Sequence, residues 1–421
     1  MNREQLIDVI IDQREMYINT PIIQRKYALE DNLNYCFVGI RRTGKSYLMY
    51  QQINKLIDSG ISISKILYVN FEDERLLEIT VNDLNTILEI GLELANSEKP
   101  YLFFDEIQIV DGWEKFARRL ADNKYHVCIT GSNSKMLSSE IATTLGGRFV
   151  VQNVYPYSFE EYITANNNSL DISAPFSTKD KACIISLFNQ YLQYGAFPEL
   201  TSITNKRDYL NSIYQTIYLG DIIARNKITN PFAIKLILKK IAESTMQPLS
   251  FSRLTNILKT AGATIGKQTV INYIGYMRDS YLIFSIQNYI GNLVEKESSP
   301  KYYFADTGLL SLLTINNECA LLENLVAIEL IRRYGQNEVY FYNKNIEIDF
   351  YIPQQNLAIQ VSYSIQSSST YERELSAFYK FKEFMPNAKC LLLTNSEEEK
   401  IEYKDVLVDV LPTWKWLLNK N

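Results

Sequence analysis

Gly39-Ile40-Arg41-Arg42-Thr43-Gly44-Lys45-Ser46 has the form G-x-x-x-x-G-K-[ST], and the residues on either side decide how it is to be read. Before it, Asn34-Tyr-Cys-Phe-Val38 is a short apolar run of strand type. After it, Leu48, Met49, Ile53, Leu56 and Ile57 recur at helical spacing until Gly60. A strand, a glycine loop and a helix in that order make a cradle for phosphate. Gly39 and Gly44 permit backbone conformations that a side chain would hinder, Arg41, Arg42 and Thr43 fill the loop between them, and N–H groups at the helix start point at the anion. Lys45 is expected as a point charge on the β- and γ-phosphates of ATP, and the Ser46 hydroxyl as a ligand of Mg²⁺, which prefers octahedral oxygen donors.

A second run, Tyr101-Leu-Phe-Phe-Asp105-Glu106, carries four apolar residues into two adjacent carboxylates. That is the form of a buried parallel strand whose carboxyl end opens onto a ligand crevice. Asp105 is expected to hold Mg²⁺ through water, and Glu106 to orient the attacking water or accept its proton, which separates ATP hydrolysis from phosphate transfer to another molecule. A third strand, Tyr125 to Thr130, leads into Gly131-Ser132-Asn133-Ser134, where Asn133 is the candidate sensor of the γ-phosphate. Leu145-Gly-Gly-Arg148 presents an arginine on a glycine pair. Arg148 could act as a finger on phosphate charge, its own subunit's or a neighbour's, or could simply be solvated.

These phrases together, with Gly-Gly-Arg-Phe149 and Tyr155-Pro-Tyr-Ser-Phe-Glu-Glu-Tyr162, resemble a group of prokaryotic AAA-type ATPases that carry a C-terminal domain of unknown function. The resemblance continues through Tyr194-Gly-Ala-Phe-Pro198, Ala305-Asp306-Thr-Gly-Leu309 and Glu323-Asn-Leu-Val326. It implies an α/β fold with an AAA-type parallel-sheet core, and Lys45, Ser46, Asp105 and Glu106 in the roles already given. It also implies Asn133 as sensor and Arg148 as finger.

Composition fits a large protein with more than one core. The 421 residues are 46% hydrophobic and 22% charged, with a formal net charge of −5, so no overall basic character advertises nucleic acid. No apolar run approaches the roughly 18 residues of a membrane span, and the N-terminus lacks the apolar core of a signal peptide; the expected location is the cytoplasm, with no membrane partner. Five scattered cysteines and a single histidine, His126, argue against a zinc site and against a histidine-based triad.

The expected organisation is an ATP-binding domain over residues 1–163, a helical lid or connector over 176–228, a winged-helix domain over 229–295 and a nuclease-like domain over 301–421. The winged helix rests on a first helix from Leu249, a turn at Gly262 to Gly266 and a second helix from Lys267 to Arg278. Tyr281-Leu-Ile-Phe-Ser-Ile would then form a wing strand. Lys267, Gln268 and Asn272 would face double-stranded DNA, a reading that stands level with one of protein contact. In the last region Glu323 opens a helix, Glu347-Ile-Asp349-Phe-Tyr-Ile is a strand, Pro353 to Asn356 turns, and Leu357 to Ser362 is a second strand. The pattern resembles a restriction-endonuclease-like core. Gln360 and Ser362, however, stand where that core needs a carboxylate and a lysine, so the expectation is a catalytically silent domain. The leading function is an ATP-hydrolysing switch or motor, with a homo-oligomer left open. A nucleotide-regulated DNA-binding protein and an ATP-dependent nuclease are the alternatives.

Overall fold

The computed structural model describes residues 1–18, 20–132, 143–166, 170–172, 176–315 and 317–418. Two compact units make up the chain, one comprising Met1–Tyr155 with Asp279–Tyr281 and the other comprising the remainder. The fold class is α/β.

The first unit is built on five parallel strands, β1 (Asn34–Val38), β2 (Ile66–Asn70), β3 (Tyr101–Asp105), β4 (Val127–Gly131) and β5 (Phe149–Asn153), in the order β2-β3-β4-β1-β5. Because side chains alternate across a strand, β1 to β4 each feed two cores, whereas the edge strand β5 is largely exposed. Cys36, Val38, Leu67, Val69, Leu102, Phe104, Val127 and Ile129 pack on one face. Tyr35, Phe37, Ile66, Tyr68, Phe103 and Cys128 pack on the other. A sheet buried on both faces explains why these strands read as continuous apolar runs. Register aligns Val38 with Gly131 and Asn70 with Asp105, so the carboxyl ends of four strands open at one rim. At the opposite rim, the Asn34 side chain accepts from Val127 N–H and donates to Arg148 O, tying β1 to both its neighbours.

The second unit carries helices at Phe159–Asn166, Thr178–Tyr194 and Lys206–Gln215, then a π-helical run Thr216–Ala224. Helices Pro231–Glu243, Phe251–Thr260 and Lys267–Asp279 follow, and after them an antiparallel pair, β6 (Ile283–Asn288) and β7 (Lys301–Phe304). The wing strand expected from Tyr281 begins at Ile283, because Tyr281 itself sits at φ +56°. Strand β6 also pairs with β8 (Tyr340–Asn343), so the pair is the edge of a larger sheet. That sheet runs β12-β13-β11-β10-β9-β8-β6-β7, with β9 (Glu347–Ile352), β10 (Leu357–Val361), β11 (Lys389–Thr394), β12 (Glu399–Tyr403) and β13 (Val406–Pro412). The turn at Pro353 to Asn356 is as expected, with Asn356 in the left-handed region.

The helix expected to open at Glu323 opens instead at Glu318, capped by Asn317, and runs to Tyr334. Residues 320–331 are all buried, so no polar stripe marks its beginning in the sequence. Its Asn324 side chain accepts from Phe304 N–H at 2.7 Å and donates to Phe304 O at 2.9 Å. Two residues on, Asp306 accepts from Ala196 N–H and Gly308 N–H, each at 2.8 Å. Gly308 lies so close to the Tyr194 carbonyl that a Cβ would come within 2.2 Å of its oxygen. The phrases around Tyr194, Asp306 and Glu323, far apart in sequence, are thus one packed node.

Burial pushes the Asp306 carboxyl up to about 6, against the pull of the N–H groups of Ala196, Gly308 and Leu309. Its folded value lies above the ordinary 3.8, so the stability contributed by the neutral carboxyl is present below about pH 4 and is lost as pH rises through about 6. At about 1.4 kcal/mol per pH unit, the stability of the native chain relative to Asp306→Asn should fall by up to about 3 kcal/mol across that window. Urea unfolding at a series of pH values measures it, and a pH-independent difference would contradict the assignment.

Candidate functional site

Gly39 opens the phosphate loop at φ +152°, and a Cβ there would come within 2.3 Å of Val154 O. Gly44 sits in the left-handed region at φ +87° and ends the loop, so the helix Lys45–Asp58 begins with no side chain capping its first turn. Its leading N–H groups and the positive end of its dipole therefore face the rim of the sheet. The loop is braced internally by Thr43 Oγ1 donating to Ile40 O at 3.0 Å. It is braced from outside by the buried Arg25, whose guanidinium donates to Thr43 O at 3.0 Å and to Tyr155 O at 2.8 Å. Arg41 pairs with Glu72 at 3.2 Å, and Arg42 takes φ +63°.

Lys45 reaches back over the loop. Its Nζ donates to Gly39 O and Ile40 O, each at 3.1 Å, and stands 3.9 Å from Glu106 Oε1. Burial lowers its pKa from the ordinary value, opposed by the charges of Glu106 and Asp105. Asp105 is 2% exposed at the end of β3. A carboxylate in that position needs hydrogen bonds to replace water. It receives them from Tyr68 OH at 2.8 Å, from Thr130 Oγ1 and from Ser46. Desolvation and the neighbouring Glu106 raise its pKa, and the hydroxyls of Ser46, Thr130 and Tyr68 oppose that.

Glu106 adopts φ +53°, ψ +39°, a conformation that costs a non-glycine residue on the order of 1 kcal/mol. Its N–H donates to Thr130 Oγ1 at 2.8 Å, and its carboxylate accepts from Ser132 Oγ at 3.1 Å and from Gln108 Nε2. The structure thus brings Lys45, Ser46, Asp105 and Glu106 together, as expected. It adds Tyr68, Thr130, Ser132 and Gln108, none of which stood out in the sequence because each does its work across the sheet or one turn away. Asn133 lies outside the described residues.

Arg148 is not brought to this rim. It precedes β5 at the opposite end of the sheet, next to Asn34, with its guanidinium bonded to Asp122 and to Gly146 O. A five-residue strand at about 3.3 Å per residue puts it roughly 16 Å from the loop, too far to touch a phosphate held by its own chain.

In the region expected to be nuclease-like, the side chains at the expected positions are bonded to backbone. Gln360 uses both ends of its amide on backbone: Oε1 accepts from Asp349 N–H at 2.8 Å and Nε2 donates to Glu347 O at 3.2 Å. Ser362 donates to Ser364 O. A lysine does stand among the acids, although it comes from β7 rather than from the expected strand. Lys301 Nζ is 3.0 Å from Glu347, 3.4 Å from Glu323 and 3.4 Å from Asp349. Among the described residues, no group of histidine, cysteine and acid side chains is disposed to hold a metal ion.

Strand order, phosphate loop and the Asp-Glu pair at the end of β3 define a P-loop nucleotide-binding protein of the AAA type. Residues 32–163 match the model of an AAA domain, residues 185–320 that of a domain of unknown function (DUF8612), and residues 319–416 that of another (DUF4143). The chain is 35% identical to an uncharacterized protein of Methanocaldococcus jannaschii, over 98% of this chain and 94% of that one. It is 30% identical to an uncharacterized protein of Haemophilus influenzae, over 90% and 93%. The chain belongs to this family of AAA-type P-loop ATPases with a C-terminal domain of unknown function. Among solved structures, the Walker-type ATPase of Pyrococcus abyssi is 16% identical, with 75% of this chain and 96% of that one covered at a TM-score of 0.42. The Orc1 protein of Aeropyrum pernix in complex with DNA is 13% identical, covering 79% and 92% at 0.28. No helix among the described residues is long and apolar enough to cross a membrane.

Thr130→Val keeps the shape of the side chain and removes a hydroxyl that serves both Asp105 and the Glu106 backbone. It is expected to lower the unfolding free energy by about 1–3 kcal/mol, and Tyr68→Phe, which removes a single bond, by less. Equal losses in parallel denaturant titrations would show that Thr130 does not serve the two groups together.

Proposed function

We propose that the protein binds Mg-ATP and hydrolyses it to ADP and phosphate, using the cycle as a switch or motor for a DNA or protein partner. The observation that carries this reading is the facing pair at the rim of the sheet: a buried ammonium, Lys45, 3.9 Å from the carboxylate of Glu106. The loop from Gly39 to Gly44, with Arg41, Arg42 and Thr43, wraps the phosphates with backbone N–H groups. Lys45 puts its charge on the terminal phosphoryl group. Glu106 orients a water for in-line attack on the γ-phosphorus and accepts its proton as the bond to the leaving ADP oxygen breaks. Ser46 and Asp105, hard oxygen donors already hydrogen-bonded to each other, are the residues that would hold Mg²⁺. That ion, when bound, neutralises charge on the β- and γ-oxygens.

Arg148 fits this scheme only as a finger reaching a neighbouring subunit, which makes the working form an oligomer. A DNA partner is favoured by one observation: Lys267, Gln268 and Asn272 are all exposed on the first two turns of the helix Lys267–Asp279. The nuclease alternative is disfavoured by the backbone bonds of Gln360 and by the direct pairing of Lys301 with three acids.

Glu106→Gln should keep nucleotide binding and lower phosphate release by at least about a hundredfold, whereas Lys45→Ala should lose both. Unchanged turnover in Glu106→Gln would sink the hydrolytic reading. Arg148→Ala alone should lower turnover by at least about tenfold. Mixing it with Lys45→Ala chains should restore part of the activity, since each supplies what the other lacks. If mixing restores nothing, the finger is not shared. Binding to duplex DNA, where it occurs, should weaken with rising salt and on Lys267→Ala, as fluorescence anisotropy would read.

A further inference from the structure

The eight-stranded unit buries a second group of charges that the ATPase reading leaves unused. Lys301 is 0% exposed on β7, and its ammonium lies within 3.0–3.4 Å of three carboxyl groups from two other elements. Glu323 comes from the helix Glu318–Tyr334, and Glu347 and Asp349 come from β9. Glu323 Oε1 also accepts from Tyr303 OH at 2.7 Å, and Asp349 Oδ2 accepts from Val361 N–H at 2.9 Å. The other oxygen of Glu323, Oε2, is buried with no hydrogen-bond partner. Glu323 also lines a pocket of about 520 Å³, together with Glu347, Asp349, Gln360, Arg373 and Lys380.

Burial pushes the carboxyl groups of Glu323 and Asp349 up, and a cation beside them opposes that shift by favouring their charged forms. Lys301 is that cation. Burial works against its charge, but Glu323, Asp349 and Glu347 together hold its pKa above the ordinary value, so it stays an ammonium and has no lone pair with which to take a proton from water. It donates to Glu323 and to Asp349 and is ion-paired with Glu347. As they stand with the ammonium in place these acids are not disposed to hold a metal ion, and only its removal would free their oxygens to close on one. They stand 3.0–3.4 Å from Nζ, so an ion that accepts ligands at about 2.3–2.6 Å in flexible geometry would move them less than Mg²⁺, which demands about 2.0–2.1 Å. Glu347 is 42% exposed and can shift, Glu323 Oε2 adds a fourth oxygen, and the pocket gives room for waters to complete the shell.

We propose that the Lys301 ammonium is a built-in cation that keeps divalent metal out of this carboxylate pocket, and that the pocket takes a calcium-sized divalent ion once that ammonium is removed. Lys301→Ala leaves both the space and the acids. Calorimetric titration of the nucleotide-free, full-length chain with CaCl₂ tests the idea in four forms: native, Asp349→Asn, Lys301→Ala, and Lys301→Ala with Asp349→Asn. The native chain and Asp349→Asn should behave alike, with no Ca²⁺ binding that depends on Asp349. Lys301→Ala should gain one saturable site per chain, weakened at least about tenfold by adding Asp349→Asn. Its melting temperature should lie below the native value and rise with CaCl₂, while that of the native chain does not. Asp349-dependent Ca²⁺ binding by the native chain would overturn the proposal. So would a folded Lys301→Ala that gains no site, or one that stays unfolded at every CaCl₂ concentration, since replacement of the lost charge by a divalent ion is what the proposal asserts.

Discussion

Burying charge without water is the constraint on which both units are arranged. Asp105 ends a strand whose other residues are apolar, and it is tolerable there only because Tyr68 from β2, Thr130 from β4 and Ser46 from the phosphate-loop helix each donate a hydroxyl. Those donors come from both neighbouring strands and from the helix that follows β1. Satisfying one carboxylate therefore fixes the strand order, the height of the loop above the sheet and the direction in which Glu106 leaves it. The left-handed backbone of Glu106 is the local cost of that direction, held in place by the bond from its N–H to Thr130.

The parts of the ATPase unit that could be read from the sequence are those whose chemistry is local. The phosphate loop is eight consecutive residues, and Asp105-Glu106 follows directly on the apolar run that buries it. Thr130 and Tyr68 escaped notice because a threonine or a tyrosine inside an apolar strand is unremarkable until the strand order puts it opposite Asp105. Arg25 escaped for the same reason, since its partners Thr43 and Tyr155 are distant in the chain. Arg148 is the converse case. Glycines beside an arginine suggested a mobile finger, but which rim of the sheet it occupies depends on β5 running parallel to β1, and only pairing decides that.

In the second unit the hairpin at Pro353 was legible from turn chemistry, while the helix before it was misplaced at its start because every residue from Ala320 to Ile331 is buried and no polar stripe marks its first turns. The phrases around Tyr194, Asp306 and Glu323 had no meaning one at a time. They are three sides of a single node in which buried N–H and C=O groups find partners on Asp306 and Asn324. Lys301 was invisible as a partner of the acids because it lies 22 residues before the nearest of them, beyond any motif spacing that would have joined them.

The amide of Gln360 bears on which side chains its position can carry. It gives a hydrogen to the Glu347 carbonyl and takes one from the Asp349 N–H, a division of labour that an ionised carboxylate cannot perform. A glutamate at this position would set its negative oxygen against the carbonyl oxygen 3.2 Å away, beside the acids Glu347 and Asp349 that Lys301 already pairs.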